Sequence, residues 1–401
     1  MGLQTNSFEK LSQDILNISN KTRSNLFSWR GQFSPQFVET MLTAYAPHNA
    51  FVLDPFVGSG TVLYEAGKLQ LRAFGAEINP AAKKLAQIYR LINKASAERE
   101  SIVKKIDELL IENVSLGLPI TKNNEQFDDF VYKNRLLKLL SLTISVDYLD
   151  LIESLIVRLD FYHNNIDAYR IFSNWDDLKT IIRDLPYSKE PLDVALCDAR
   201  TLPLNDDTVN FVLTSPPYIN VFNYHQQYRA STEAIGWDLL KVAKSEIGSN
   251  RKFRVNRFLT VIQFCIDIYD VLMELKRVCE NGSQIIFVVG RESNVKKTRF
   301  FNGYIVQELA TRCLGYELFM KQERVFKNKF GNYIYEDILH FFNRKDMNNK
   351  NMQNPRTIAK EILEDAICRV PDESVDDLYD AINQIDNVHP SQIFNAKFAL
   401  C

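Results

Sequence analysis

Histidine and cysteine are scarce in this chain: five histidines and six cysteines among 401 residues. No two cysteines form a CxxC pair, and no Cys/His cluster has metal-ligand spacing. A zinc site and a disulfide framework are therefore not expected; no metal is expected at all, and the thiols read as reduced, in a cytoplasmic protein. No apolar run reaches the length of a membrane span, and the N-terminus lacks a basic-then-apolar leader. "MGLQTN" superficially fits an acylation pattern, but nothing else in the sequence points to a membrane, and none is expected as a partner. Net charge is only −2, so no global basic field advertises nucleic acid, and any such binding needs a local patch. Repeats and long low-complexity segments are missing too. What is present, 46% hydrophobic and 24% charged residues, is the composition of a globular protein with a sizeable core.

Residues 7–25 are polar with helical periodicity. A helix is expected from Pro35, with Ser34 as its N-cap. "AFVLDPF" (50–56) reads as a buried strand, "GSGTVLYEAGKLQ" as a glycine turn entering a helix, and "RAFGAEINP" (72–80) as a second strand. Residues 81–189 are mostly helical, with Ile102, Val103, Ile106, Leu109 and Leu110 at helical spacing. The α/β pattern returns with strands in 191–204, 208–218, 283–292 and 324–342, and with a helix over 261–282 stopped by Asn281–Gly282. This predicts an α/β protein: a doubly wound, Rossmann-like sheet from 1–80 and 190–342, a helical insertion at 81–189, and a polar, weakly helical C-terminal extension at 343–401.

Two local signals carry chemistry. Gly58 and Gly60 in "DPFVGSGT" sit between a strand and a helix, where backbone can approach a ligand closely. Glu77 ends the next strand, where an acid can bind ribose hydroxyls. A P-loop would need Gly-Lys-Ser/Thr, and no lysine is there; a dinucleotide fingerprint wants a third glycine where Leu63 stands. S-adenosylmethionine is the third candidate, and an ordinary glycine turn the bland one. The second signal is "TSPPY" (214–218). Two prolines cannot continue a central strand, and they hold the carbonyls around Pro216 and Pro217 as rigid acceptors. Ser215 adds a hydroxyl, and Tyr218 an aromatic face at the carboxyl end of a strand. Acceptors beside a stacking face suit a planar group bearing an –NH2, such as cytosine or adenine. The bland reading is a strand terminator with a surface tyrosine.

Together these motifs resemble the S-adenosylmethionine-dependent DNA amino-methyltransferases, which modify cytosine-N4 or adenine-N6. "DPFVGSGT" is similar to their cofactor motif, and "TSPPY" to their catalytic motif in the serine form associated mainly with cytosine-N4. "RGQFSPQFV" (30–38) resembles the segment that contacts the methionine end of the cofactor, "AEIN" (76–79) carries the ribose acid, and "LCDART" (196–201) resembles the motif whose acid lies near the adenine. The resemblance implies S-adenosylmethionine as cofactor, with Phe33, Ser34, Pro35, Asp54, Pro55, Phe56, Gly58, Ser59, Gly60, Thr61, Glu77, Asp198 and Ala199 around it. It implies Ser215, Pro216, Pro217 and Tyr218 as the catalytic set. The cofactor motif comes first, so the order is not the permuted one. The insertion at 81–185 departs from the pattern. No cysteine stands after a proline, as cytosine-C5 enzymes would require.

The implied activity is methylation of the exocyclic amine of cytosine in double-stranded DNA, with the target base flipped out and stacked on Tyr218. The enzyme would be the modification half of a restriction–modification system with a cognate endonuclease, acting as monomer or homodimer. Alternatives are adenine-N6 methylation, an RNA (tRNA) base methyltransferase, and a non-catalytic nucleic-acid-binding protein of the same fold. Asn220, Tyr224, Arg229, Arg251, Lys252 and Arg254 are expected to contact DNA. The last three lie in a basic, glycine-containing loop at 241–257 suited to phosphates, for which a solvated charged face is the bland alternative. His225 reads as a packing histidine or a general base.

Overall fold

The computed structural model describes residues 8–115, 127–143, 145–219, 223–249, 253–327, 331–345 and 352–400. Among them, nine strands form two sheets. Seven make one mixed sheet: β1 (Phe51–Asp54), β2 (Arg72–Glu77), β3 (Leu192–Leu196), β4 (Val209–Thr214), β5 (Cys279–Gly290), β8 (Glu317–Lys327) and β9 (Tyr333–Phe342). Their order is β3-β2-β1-β4-β5-β9-β8. β3 through β5 pair parallel, while β9 runs antiparallel to both β5 and β8. The small β6 (Glu292–Val295) and β7 (Thr298–Phe301) pair only with each other.

The sheet is covered on both faces, so its central strands read as continuous apolar runs. Alternation still assigns the sides. Phe211, Leu213, Ile286 and Val288 join one hydrophobic cluster with the helices Pro35–Tyr45, Ser96–Leu110, Val146–Leu159 and Ala168–Asp184. Val212, Ile285, Phe287 and Val289 join the other, against the helix Leu259–Val278. The helix Pro355–Ala366 adds Ile358, Ala359, Ile362, Leu363 and Ala366 to that second cluster. The C-terminal segment is thus packed into the core rather than appended to it. The doubly wound α/β sheet expected from the sequence is present. The chain leaves β1 toward β2 and β3, then returns to β4 on the other side of β1. That reversal opens a crevice at the carboxyl ends of β1 and β4, where open α/β sheets bind ligands.

Some local expectations need correction. Among the described residues of 7–25 there is one helix, of five residues, Gln13–Asn17. The Asn281–Gly282 pair does not end a helix. The helix stops at Val278, and Asn343 Nδ2 donates to the carbonyls of Cys279 (3.0 Å) and Glu280 (3.1 Å), holding the chain extended. Gly282, at φ +86°, then donates its N–H to Asn343 O, and the pair becomes an irregularity at the start of β5. Among the described residues no helix is long and apolar enough to cross a membrane.

Candidate active site

The crevice holds a cavity of about 890 Å³, part of it open to solvent. Of the residues expected at a cofactor, Phe33, Asp54, Pro55, Phe56, Gly58, Thr61, Glu77, Asp198 and Ala199 line it, together with Ser215 and Pro217. The two motifs, about 160 residues apart, therefore meet in one space.

Their junction is a hydrogen bond between buried groups. Thr214, the last residue of β4, donates from Oγ1 to Asp54 Oδ1 at 2.7 Å, and Phe56 N–H donates to the same oxygen at 3.1 Å. Asp54 ends β1, so the bond spans the reversal point and fixes the Ser215–Tyr218 turn against the glycine loop. Burial pushes the Asp54 carboxyl up to about 7 despite those donors.

Glu77 ends β2. Its Oε2 accepts from Gly58 N–H at 3.0 Å and its Oε1 from Asn79 N–H at 2.8 Å. Each oxygen keeps acceptor capacity for a ligand hydroxyl. Burial, with the nearby Asp54 adding to it, raises this carboxyl to about 7 as well, against the pull of the Asn79, Gly58 and Ile78 N–H groups. Asn79 also lines the cavity. Its Oδ1 accepts from Ala81 N–H at 2.9 Å and caps the helix Pro80–Ala86, while its buried Nδ2 has no partner among the described residues. The donor-and-acceptor set thus fits the ribose and base of a nucleoside cofactor.

The two glycines meet different constraints. Gly58 (φ +53°) gives its N–H to Glu77, and a Cβ there would lie 3.0 Å from Trp29 Cδ1. Gly60 (φ +94°) is required by its backbone and by Tyr89, whose ring a Cβ would meet at 2.6 Å. Ser59 is buried and donates to Gln32 Oε1 at 2.8 Å. Ser34 caps the helix Pro35–Tyr45, and Pro35 lines a separate cavity with Tyr64 and Tyr89. Gly60, Ser59, Ser34 and Pro35 are therefore not brought to the main cavity.

At the Ser215–Tyr218 turn, Ser215 Oγ lies 3.1 Å from Tyr218 OH. Burial raises the Tyr218 phenol, so it keeps its proton and can donate to Ser215. The half-buried Tyr218 ring rests on Gly290 at the end of β5, where a Cβ would stand 2.9 Å from Cε2. Pro216 is buried beneath the turn, and neither it nor Tyr218 lines the cavity.

The expected DNA contacts fare unevenly. Asn220, Arg251 and Lys252 lie outside the described residues. Arg254 is exposed. Arg229 is paired with Glu233 across one helical turn at 2.7 Å. Tyr224 does not face outward: it lines the cavity and stacks on Trp29, ring centroids 6.3 Å apart. The segment read as a phosphate-binding loop is split. Lys241 and Lys244 are exposed, but residues 245–249 are buried, and Ser245, Glu246 and Ile247 form a cavity wall. Gly248 (φ +69°) packs so closely that a Cβ would be 2.7 Å from Tyr218 O. Flanking lysines and arginines masked this wall in the sequence, and the apolar Ile247 beside Gly248 was its one signal. His225 is fully buried and bound through its N–H and Nδ1 to Glu246 at 2.7 and 2.8 Å, the packing role. Trp29, Arg30, Gly31 and Gln32 also line the cavity, in the segment quoted for resemblance but not individually singled out.

Comparison with known proteins agrees with this geometry. The family model described as DNA methylase, of the N6/N4 methyltransferase type, matches residues 5–88. The type II methyltransferase M.MjaII of Methanocaldococcus jannaschii is 20% identical, over 72% of this chain and 76% of its own. The type II methyltransferase M.BsoBI of Geobacillus stearothermophilus is 23% identical, over 60% of this chain and 58% of its own. A solved SAM-dependent methyltransferase from Methanosarcina mazei overlaps 76% of this chain and 97% of its own at 12% identity and TM-score 0.34, a loose likeness. In motif content, motif order and sequence the chain is similar to the S-adenosylmethionine-dependent DNA amino-methyltransferases, the enzymes that methylate cytosine-N4 or adenine-N6, with residues 5–88 matching their family model.

Proposed function

We propose that this DNA methyltransferase acts on cytosine-N4 in double-stranded DNA, with the target base flipped out of the helix and held against the Ser215–Tyr218 turn. The observation that carries this reading is the serine itself: Ser215 lines the cavity with its Oγ 3.1 Å from a protonated Tyr218 hydroxyl. In the proposed cofactor site, Glu77 would accept the ribose hydroxyls, Ile78, Asn79 and Ala199 would hold the adenine, and Phe33, Phe56 and the glycine loop the methionine end. Bound there, S-adenosylmethionine supplies an electrophilic methyl group on a sulfonium.

The chain's own part is to prepare the amine. An exocyclic amine is a poor nucleophile because its lone pair is delocalised into the ring. Ser215 Oγ and a carbonyl of the rigid Pro216–Pro217 pair, of which Pro217 lines the cavity, accept its two N–H hydrogens, favouring a pyramidal nitrogen whose lone pair is free to attack. Tyr218 OH, donating to Ser215 Oγ, orients that oxygen. The proton leaves after methyl transfer, so no strong base and no covalent enzyme–base bond are required. The rigid prolines hold these acceptors in place before the base arrives, the preorganisation that makes electrostatic catalysis effective.

The M.MjaII and M.BsoBI relatives are both named type II methyltransferases, which supports a role as the modification enzyme of a restriction–modification system with a partner endonuclease. The test is expression in a host without DNA methylation, followed by nucleoside mass spectrometry. N4-methylcytosine in genomic DNA is expected. N6-methyladenine would transfer the assignment to adenine, and methylation confined to RNA would overturn the DNA reading.

A further inference from the structure

The wall of the cavity at Asp198–Ala199 is held by a segment nearly two hundred residues away. Arg200, Asp198 and Asp267 are all fully or nearly fully buried. Two buried carboxylates around one guanidinium are tolerable only if every polar atom is well bonded. Arg200 forks onto Asp198 through Nε (2.8 Å) and Nη2 (2.7 Å), and reaches Asp267 through Nη1 (2.9 Å). The C-terminal chain adds further bonds from its backbone. Ser391 O and Gln392 O accept from the guanidinium, each at 2.9 Å. Ser391 N–H donates to Asp267 at 2.7 Å, and Phe394 N–H to Asp198 Oδ2 at 2.8 Å. Ser391 Oγ also donates to Glu246 O at 3.4 Å, on the adjacent wall of the same cavity. His389 O is anchored by Gln263 Nε2 at 2.8 Å.

We infer that residues 389–394 are a strap that positions the Asp198–Ala199 and Glu246 walls for the cofactor, with Arg200 as the positioning residue through which it acts. Asp198 accepts from Arg200 N–H, Nε and Nη2 and from Phe394 N–H, which uses the roughly four acceptor sites of a carboxylate. It therefore serves the cavity by shape rather than by a bond of its own to the ligand. The strap makes that shape ready before the cofactor arrives, and the C-terminal segment becomes part of the cofactor site. This inference rests on the cofactor reading of the cavity.

The test measures S-adenosylhomocysteine binding by calorimetry on the full chain, on a chain ending at Val388, and on Phe394→Pro and Arg200→Lys. Phe394→Pro removes one strap N–H, and Arg200→Lys keeps the charge but loses the fork. Lys397→Ala, exposed on the same tail, is the control. The strap variants should bind roughly tenfold more weakly, with the control unchanged. In steady state, KM for S-adenosylmethionine should rise while kcat at saturating cofactor and KM for DNA stay put. A merely structural role would lower the melting temperature and the active fraction but leave the dissociation constant alone. Unchanged affinity in folded Phe394→Pro and Arg200→Lys would overturn the strap, whatever the truncated chain does. Failure of the intact chain to bind would instead refute the cofactor reading itself.

Discussion

If Glu77 holds the cofactor's ribose as proposed, its raised carboxyl should tie cofactor binding to pH, with a definite sign and size. In the free protein burial raises it to about 7, above the ordinary carboxylate value near 4.5. Acceptance of two ribose hydroxyls uses the ionised form, so binding should expel the proton carried below that pH. The carboxyl is about nine-tenths protonated at pH 6 and about one-tenth at pH 8, so S-adenosylhomocysteine should bind about tenfold more weakly at pH 6. Stability of the ligand-free protein should run the other way. A carboxyl whose folded pKa lies above its unfolded value contributes stability that is fully present below the unfolded value, near 4.5, and lost as pH rises through about 7. That loss is up to about 3 kcal/mol. Asp54, also near 7, adds in the same direction. Calorimetric titrations at pH 6, 7 and 8, paired with ligand-free melting curves, read both slopes. Glu77→Gln should flatten the pH dependence of affinity and weaken binding at pH 8 by roughly 10- to 100-fold, the value of a charge-assisted bond pair. A pH-independent affinity in the unmodified protein, or a pH slope surviving in Glu77→Gln, would refute the reasoning.

Three substitutions separate the parts of the site. Thr214→Val removes the donor to buried Asp54 and should cost about 1–3 kcal/mol in denaturant melts while slowing methylation; an unchanged midpoint would sever the proposed link between the motifs. Tyr218→Ala should abolish methylation with S-adenosylhomocysteine affinity within about twofold, since its ring lies outside the cavity wall; loss of cofactor binding would give the turn another role. Gly290→Ala should displace the Tyr218 ring, whose Cε2 would sit 2.9 Å from the new methyl. It should cut kcat at unchanged cofactor affinity, and wild-type kcat would dissociate the ring's seat from catalysis.

What the sequence made legible is what local chemistry encodes. A short apolar run, a glycine turn and a second run specify β1, its loop and β2, because Gly58 and Gly60 need positive φ and no other residue takes it as readily. The prolines of "TSPPY" end β4 by losing N–H donors. What remained hidden depends on distant partners. Nothing near Asp198 announces that Phe394 and Ser391 will complete its bonding. Residues 245–249 read as part of a charged loop because their neighbours are lysines and arginines, yet the Tyr218 carbonyl packs against Gly248 and Glu246 binds His225. Asn281–Gly282 carries a helix-stop signature, but Asn343 draws the preceding carbonyls into the strand first.

The most direct test of the central claim is transfer of a tritiated methyl group by the purified protein from S-adenosylmethionine to duplex DNA, with tRNA as the competing acceptor. Digestion of the labelled DNA should place the tritium in N4-methylcytosine, and Ser215→Ala should reduce it strongly. Label in tRNA alone, or no label in either acceptor, would contradict the account.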